Sequence, residues 1–251
     1  MLKFDFEGQT ALVTGGTRGI GKAVADIFFD LGANLLITGT KKDEIELLNE
    51  TCRKNNQLRK KYLQVDFAKH DSVNGFQKDL ENIDKIDICI NNAGINIIKP
   101  FIDSHITDFI SINDVNLIAP YRILQIVGGK MLKQKYGRIV NIASIWGVIT
   151  RPGRSMYTAS KHALIGLTKT LAVEWALSNV LINAVSPGFT ITEMTKSTNT
   201  DEEIENIAKL IPIQRFAETH EIAAPIIFLA SNLNTYITGQ NIIVDGGYTN
   251  V

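Results

Sequence analysis

Cysteine is scarce in this chain: Cys52 and Cys89 stand alone among 251 residues, with no Cys-x-x-Cys and no histidine at metal-ligand spacing. That argues against structural zinc, and no metal is expected. Cys89 lies inside the apolar run 86–90 and reads as a small core residue. An excess of either charge is also missing. Lysine plus arginine and aspartate plus glutamate each number 26, a formal net charge of +0. Bulk electrostatics therefore points to neither nucleic acid nor a membrane as partner, and it offers little resistance to self-association. No apolar run approaches the roughly 20 residues of a membrane span. The start, Met1 to Gly8, carries acids where a secretory leader needs an apolar stretch. A cytoplasmic, soluble protein is expected. Repeats, low-complexity linkers and breaks in composition are lacking, so one domain is expected over 1–251. Its 45% hydrophobic and 21% charged residues are ordinary globular composition.

Short β-branched runs alternate with longer amphipathic stretches, the pattern of a parallel sheet with helices on both faces. Strands are expected at 10–14, 34–38, 62–65, 86–90, 138–142, 181–185 and 241–244. Helices are expected at 19–31, 41–55, 70–81, 103–134, 156–178, 202–210 and 219–230. The segment 189–215, rich in threonine, asparagine and acids, falls between a strand and a late helix and reads as a mobile substrate flap.

Directly after the first expected strand comes Thr14-Gly15-Gly16-Thr17-Arg18-Gly19-Ile20-Gly21. Gly15, Gly19 and Gly21 suit a tight turn whose backbone approaches a pyrophosphate, with a helix N-terminus facing the anion. The spacing is TGxxxGxG, not GxGxxG, and a βα turn without a ligand is the bland alternative. Asp66, with Phe67 beside it, follows the third strand and is placed to bond an adenine amine; a loop or capping aspartate is equally consistent. Asn92, Ala93 and Gly94 close the fourth strand, where small residues admit a ribose. At the end of the second strand an acid would pair with a free ribose 2′-hydroxyl. Thr38, Gly39, Thr40 and Lys41 stand there instead, with Arg18 in the glycine loop. Hydroxyls and positive charge favour a 2′-phosphate, so NADP(H) is preferred and NAD(H) kept as the alternative.

Reducing a ketone needs a hydride at carbon and a proton for oxygen. Free tyrosine titrates near 10, so a neutral-pH proton shuttle needs that value lowered by roughly three units, about 4 kcal/mol. Tyr157 and Lys161 are four residues apart on an expected helix and share a face. An ammonium there is expected to lower the phenol. Ser144 follows the fifth strand, where a parallel sheet's C-terminal edge delivers functional side chains. Read blandly, the pair is a solvated helix face and Ser144 a cap.

With these residues in order, the chain resembles the short-chain dehydrogenase/reductase family over essentially its full length. The residues that carry the resemblance are the glycine loop at 14–21, Asn91 to Gly94, Asn116, Ser144, Tyr157, Lys161, Pro187-Gly188 and Val244 to Gly247. The resemblance implies an α/β, doubly wound Rossmann-type domain of about seven parallel strands ordered 3-2-1-4-5-6-7. It implies that Ser144 polarises the carbonyl, that Tyr157 exchanges the proton, and that Lys161 also grips the nicotinamide ribose. It further implies that Asn116 supports a water relaying protons to Lys161, although Asn113 shares its expected helix. Pro187, Gly188, Thr190 and Thr192 match the segment that covers the nicotinamide amide. A homotetramer or homodimer through the helices at 103–134 and 156–178 is implied as well.

Two substrate classes follow. A 3-oxoacyl thioester on an acyl carrier protein fits the length and motif set, with Lys130, Lys133, Lys135 and Arg138 facing an acidic carrier. A small polar alcohol or ketone, such as a sugar, polyol or sugar acid, fits Trp146 as a ring platform and Arg154, with Arg151, as anion partner. From a different class, a dinucleotide-binding sensor without turnover remains the rival.

Overall fold

The computed structural model describes residues 3–193, 195 and 200–251. One parallel sheet runs in the order β3-β2-β1-β4-β5-β6-β7. Its strands are β1 (Thr10–Val13), β2 (Asn34–Gly39), β3 (Lys60–Gln64), β4 (Ile88–Asn91), β5 (Gly137–Ile142), β6 (Val180–Pro187) and β7 (Asn241–Val244). The helices are α1 (Gly19–Asp30), α2 (Lys42–Lys54), α3 (His70–Glu81), α4 (Ile106–Asn113), α5 (Ala119–Gln134), α6 (Ser155–Trp175), α7 (Asp201–Ala208) and α8 (Thr219–Ala230).

The apolar runs of the inner strands follow from burial on both faces. Alternate residues point to opposite sides, so Ala11, Val13, Leu35, Ile37, Ile88 and Ile90 join one core with Val24 and Phe28 of α1 and Ile222 and Ile226 of α8. Leu12, Leu36, Cys89, Ile139 and Ile182 join the other, with Phe76 of α3 and Ile123 and Val127 of α5. This is the expected doubly wound sheet in the expected order. The edge strand β3 begins earlier than read from sequence, because two lysines open it: Lys61 faces solvent, while Lys60 lies over the Phe29 ring beside Asp26.

One expected element divides. The helix anticipated at 103–134 is a short 3-10 turn (Phe101–Asp103), α4, a π turn (Asp114–Ile118) and α5. The widened turn places Asn116 inside, at 1% exposure, where its amide pairs with the Ile95 backbone. Such π turns recur at functional sites. The sheet's C-terminal edge gathers the glycine loop, Ser144 and the residues after β4 and β6 at one end of the molecule. Met194 and residues 196–199 of the anticipated flap lie outside the described residues. Within the rest, α7 is opened by a reciprocal cap between Thr200 and Glu203.

Candidate active site

The glycine loop is held by hydrogen bonds from both neighbouring strands. Thr14 Oγ1 accepts from the backbone N–H of Asn92 (2.9 Å) and of Ala93 (3.0 Å). The Asn92 side-chain amide donates to Thr14 O and Gly15 O, each at 3.0 Å. Gly15 takes φ +61, and a Cβ there would stand 3.0 Å from Ala93 Cα. Gly21 has a different cause from the one read in sequence. A Cβ there would overlap Asn92 Nδ2 and Gly15 O, so its glycine serves close packing of α1 on the turn. Arg18 caps α1 without a side-chain hydrogen bond, and no acid lies in the first turn. Among the described residues, no side chain claims the N–H groups opening α1, as an anion site requires. Gly19 leaves open space apart from Thr192, whose Cγ2 would lie 3.6 Å from a Cβ. Ile20 turns its side chain into the core instead.

Thr38 is buried, and its hydroxyl accepts from Gly15 N at 3.0 Å. The oxygen of this hydroxyl thus anchors the glycine loop. Thr40 and Lys41 are exposed at the end of β2, as is Arg18, while Thr17 covers Gly39. Lys42 leans 3.8 Å from Glu46 on the next turn of α2. No acid stands at residues 38–41. Asp66 accepts from Ala68 N (3.1 Å) and pairs with Lys69 (3.2 Å), so part of its carboxylate serves the loop. The Phe67 side chain is corrected to a core role, stacked edge-on against Phe76 with centroids 5.8 Å apart. Only its backbone faces the sheet edge.

At the other side of the edge, Ser144 leaves β5 in extended conformation and accepts from Trp146 N at 3.2 Å. Its hydroxyl stands beside the Tyr157 phenol, near enough to favour the phenolate. Lys161 Nζ lies 5.6 Å from the Tyr157 ring centroid and donates to Ile142 O at 2.8 Å. Asn116 Nδ2 donates to Ile95 O (3.0 Å) and Ser160 Oγ (3.1 Å). A Cβ on Gly94 would stand 3.4 Å from Asn116 Oδ1 and 3.6 Å from Lys161 Nζ, so these two groups flank one small residue. Asn113 instead donates to Phe109 O within α4. Helix geometry and a hydrogen-bond contact between His162 Nδ1 and Thr158 O (2.9 Å) keep His162 on the exposed face.

The electrostatics correct the expectation for Tyr157. Its phenol is raised because burial penalises the phenolate; the Ser144 hydroxyl and the Arg154 charge act the other way without prevailing. Lys161 stands beside the ring, 5.6 Å from its centre. Its amine turns to Ile142 O and is itself pushed down to about 8 by burial.

Trp146 is corrected from an open platform to a packed one. It is buried, edge-on to Phe189 (6.1 Å) and Tyr248 (6.3 Å). Arg151 and Arg154 both lie over its ring, at 5.3 and 5.6 Å. Pro187 ends β6, and Gly188 N bonds Val244 O at 2.9 Å. A Cβ on Gly188 would press on the Asp245 backbone. Thr190 bridges to Ala217, and Thr192 Oγ1 accepts from Thr195 N at 3.1 Å. Sequence reading missed Asn96, two residues past Gly94, whose Oδ1 is buried without a partner among the described residues. It also missed Tyr248, which only the fold returns to Trp146.

A family model described as enoyl-(acyl carrier protein) reductase matches residues 15–249. The 3-oxoacyl-[acyl-carrier-protein] reductase of Aquifex aeolicus is 37% identical, covering 98% of this chain and 99% of that one. An NAD-dependent glycerol dehydrogenase of Listeria innocua is 35% identical, covering 98% and 96%. A gluconate 5-dehydrogenase from Burkholderia cenocepacia, solved with NADP and tartrate, superposes with TM-score 0.90 at 30% identity over 99% and 98% of the two chains. Full-length matches of this kind, on a sheet edge bearing Ser144, Tyr157 and Lys161, show that the chain belongs to the short-chain dehydrogenase/reductase family of oxidoreductases.

Proposed function

We propose that this protein interconverts a ketone and a secondary alcohol with NADP(H), using Tyr157 as acid and base. The observation that carries the reading is the Ser144 hydroxyl standing beside the buried Tyr157 phenol, with the buried Lys161 amine 5.6 Å from the centre of that ring. The cofactor fits the residues present. Gly15, Gly19 and the free N–H groups of α1 suit its pyrophosphate, and Asn92 to Gly94 its ribose. Pro187, Gly188, Thr190 and Thr192 would border the nicotinamide. Arg18, Thr40 and Lys41, with no acid nearby, favour a 2′-phosphate. When bound, the cofactor supplies the hydride to the carbonyl carbon or takes it from the alcohol.

The chain's own residues handle the proton. The Ser144 hydroxyl donates to the carbonyl oxygen, and Tyr157 Oη passes its proton there as negative charge develops. Because burial raises the phenol and disfavours its phenolate, it holds its proton and is loaded for reduction. Lys161, at about 8, lies close enough to neutrality to give and regain a proton as the phenol is refilled. Asn116, flanking Gly94 with Lys161, holds the loop that shapes this path.

Two substrate readings stand. The Aquifex relative supports a 3-oxoacyl thioester. The buried Arg154 beside Tyr157 and the resemblance to a gluconate 5-dehydrogenase support a small polar acid. Self-association is supported by exposed Ile106 and Ile110 of α4 and Val173 of α6.

Tyr157→Phe keeps the ring and removes the proton. NADPH-dependent reduction, followed at 340 nm, should fall by about 1,000-fold with NADPH affinity, read by its fluorescence, unchanged. Equal rates in variant and parent remove the mechanism, and NADPH binding without turnover in the parent leaves the sensor.

A further inference from the structure

Two buried arginines invite comparison. Arg138, 3% exposed, donates to Gly137 O (2.8 Å), Asn179 O (3.0 Å) and Asn179 Oδ1 (3.3 Å), and so ties β5 to the turn before β6. Arg154 is 8% exposed, yet its Nε is enclosed without an acceptor. Among the described residues, no carboxylate pairs with it and no side-chain hydrogen bond reaches its guanidinium. Its charged neighbour is another cation, Arg151, over the same Trp146 ring. Two guanidiniums beside one ring repel each other, and a desolvated one without a counter-charge is costly. Packing alone gives no reason to hold a cation there, whereas an anion arriving from solvent would satisfy both.

The place is specific. Arg154 caps α6 three residues before Tyr157 and is close enough to act on its phenol. Facing it in the chain's path is the segment after β4. Gly94 borders Lys161, Asn96 follows with its buried Oδ1 unmet, and Lys99 N bonds Gly153 O at 3.2 Å. That bond ties the Asn96 segment to the turn preceding Arg154. An unmet donor near the tyrosine and an unmet acceptor two residues past Gly94 thus lie on two connected pieces of backbone.

We propose that Arg154 is the anion-recognising residue of the substrate site, holding the carboxylate of a small hydroxy or keto acid while Asn96 accepts a hydrogen bond from one of its hydroxyls. A guanidinium grips a carboxylate in two parallel bonds, a geometry lysine does not reproduce. The inference rests on Tyr157 being the acid and base of a carbonyl site. It selects the polar acid over the 3-oxoacyl thioester, which carries no anionic group beside its reacting ketone.

Binding and turnover separate the two ideas. Tartrate binding to the NADP+-loaded protein, by calorimetry, reads the anion site without catalysis. The Arg154→Gln variant should lose about 30-fold in tartrate affinity, Arg154→Lys should recover only part, and Asn96→Ala should lose about 5-fold. Melting temperature and NADPH affinity show that each variant is folded. In turnover, the preference of the parent for 5-keto-gluconate over uncharged fructose should fall by about 30-fold in Arg154→Gln. Tartrate failing to bind the parent, or binding Arg154→Gln equally, overturns the anion site. Tartrate binding through Arg154 in a protein that reduces no ketone keeps the site and refutes the role of Tyr157.

Discussion

The two halves of the sheet edge are built on opposite principles. Around the glycine loop, Thr14, Thr38 and Asn92 spend their polar atoms on one another and on neighbouring backbone. Around Tyr157, polar groups are left with work undone. Arg154 Nε and Asn96 Oδ1 lack partners, Lys161 is pushed down to about 8 and the Tyr157 phenol up. A cradle must keep one shape whether filled or empty, so its hydrogen bonds are closed internally. A reacting centre must leave bonds for the ligand to complete, and it bears that desolvation in its free form.

Lys161→Met tests the strained half most directly. The folded amine titrates about 2.5 units below its ordinary 10.5, so the unfolded chain binds more protons between pH 8 and 10.5. The burial cost is therefore full below about pH 8 and is relieved as pH rises to about 10.5. At pH 7 the variant should gain stability over the parent, with a ceiling of roughly 3 kcal/mol before the lost Ile142 bond is deducted. That advantage should vanish by about pH 10.5 in urea unfolding across the pH series. A gap that does not change with pH would mean that Lys161 is not strained.

The closed half predicts the reverse sign. Thr14→Val keeps the shape but strands the N–H groups of Asn92 and Ala93, and should destabilise by about 2 kcal/mol at every pH. NADPH affinity should fall with it, because the loop loses its anchor. If stability is unchanged, the network is not what holds the cradle.

The smallest effect concerns the rim. Lys41 is exposed and makes no side-chain cap at α2. Replacing it by glutamate should cut preference for NADPH over NADH by about tenfold, near 1.4 kcal/mol, in steady-state kcat/KM. An unchanged ratio would shift the 2′-phosphate contact to Arg18.

How much was legible in advance depended on how local the cause was. The βα alternation and the glycine turn appear in sequence because strand burial and positive φ select residue types on the spot. Tyr157 and Lys161 were visible as a helical pair for the same reason. The π turn at Asp114–Ile118 was not, since its residues suit an ordinary helix and only the pairing of Asn116 with Ile95 widens it. Asn96 gave no signal, because an unmet oxygen is a property of its surroundings. The burial of Trp146 under Phe189 and Tyr248 joins residues more than 40 positions apart.

The amino-acid order alone therefore determined the layered sheet, the phosphate turn and the presence of a serine, a tyrosine and a lysine in working sequence. Proton affinities were decided by the fold: the Lys161 amine turned to Ile142 O, and burial raised the phenol that sequence reading expected to fall. Spacing can say which groups share a helix face. Only the three-dimensional structure sets how much water each group loses and which charge stands nearest, and those two quantities govern where a proton resides.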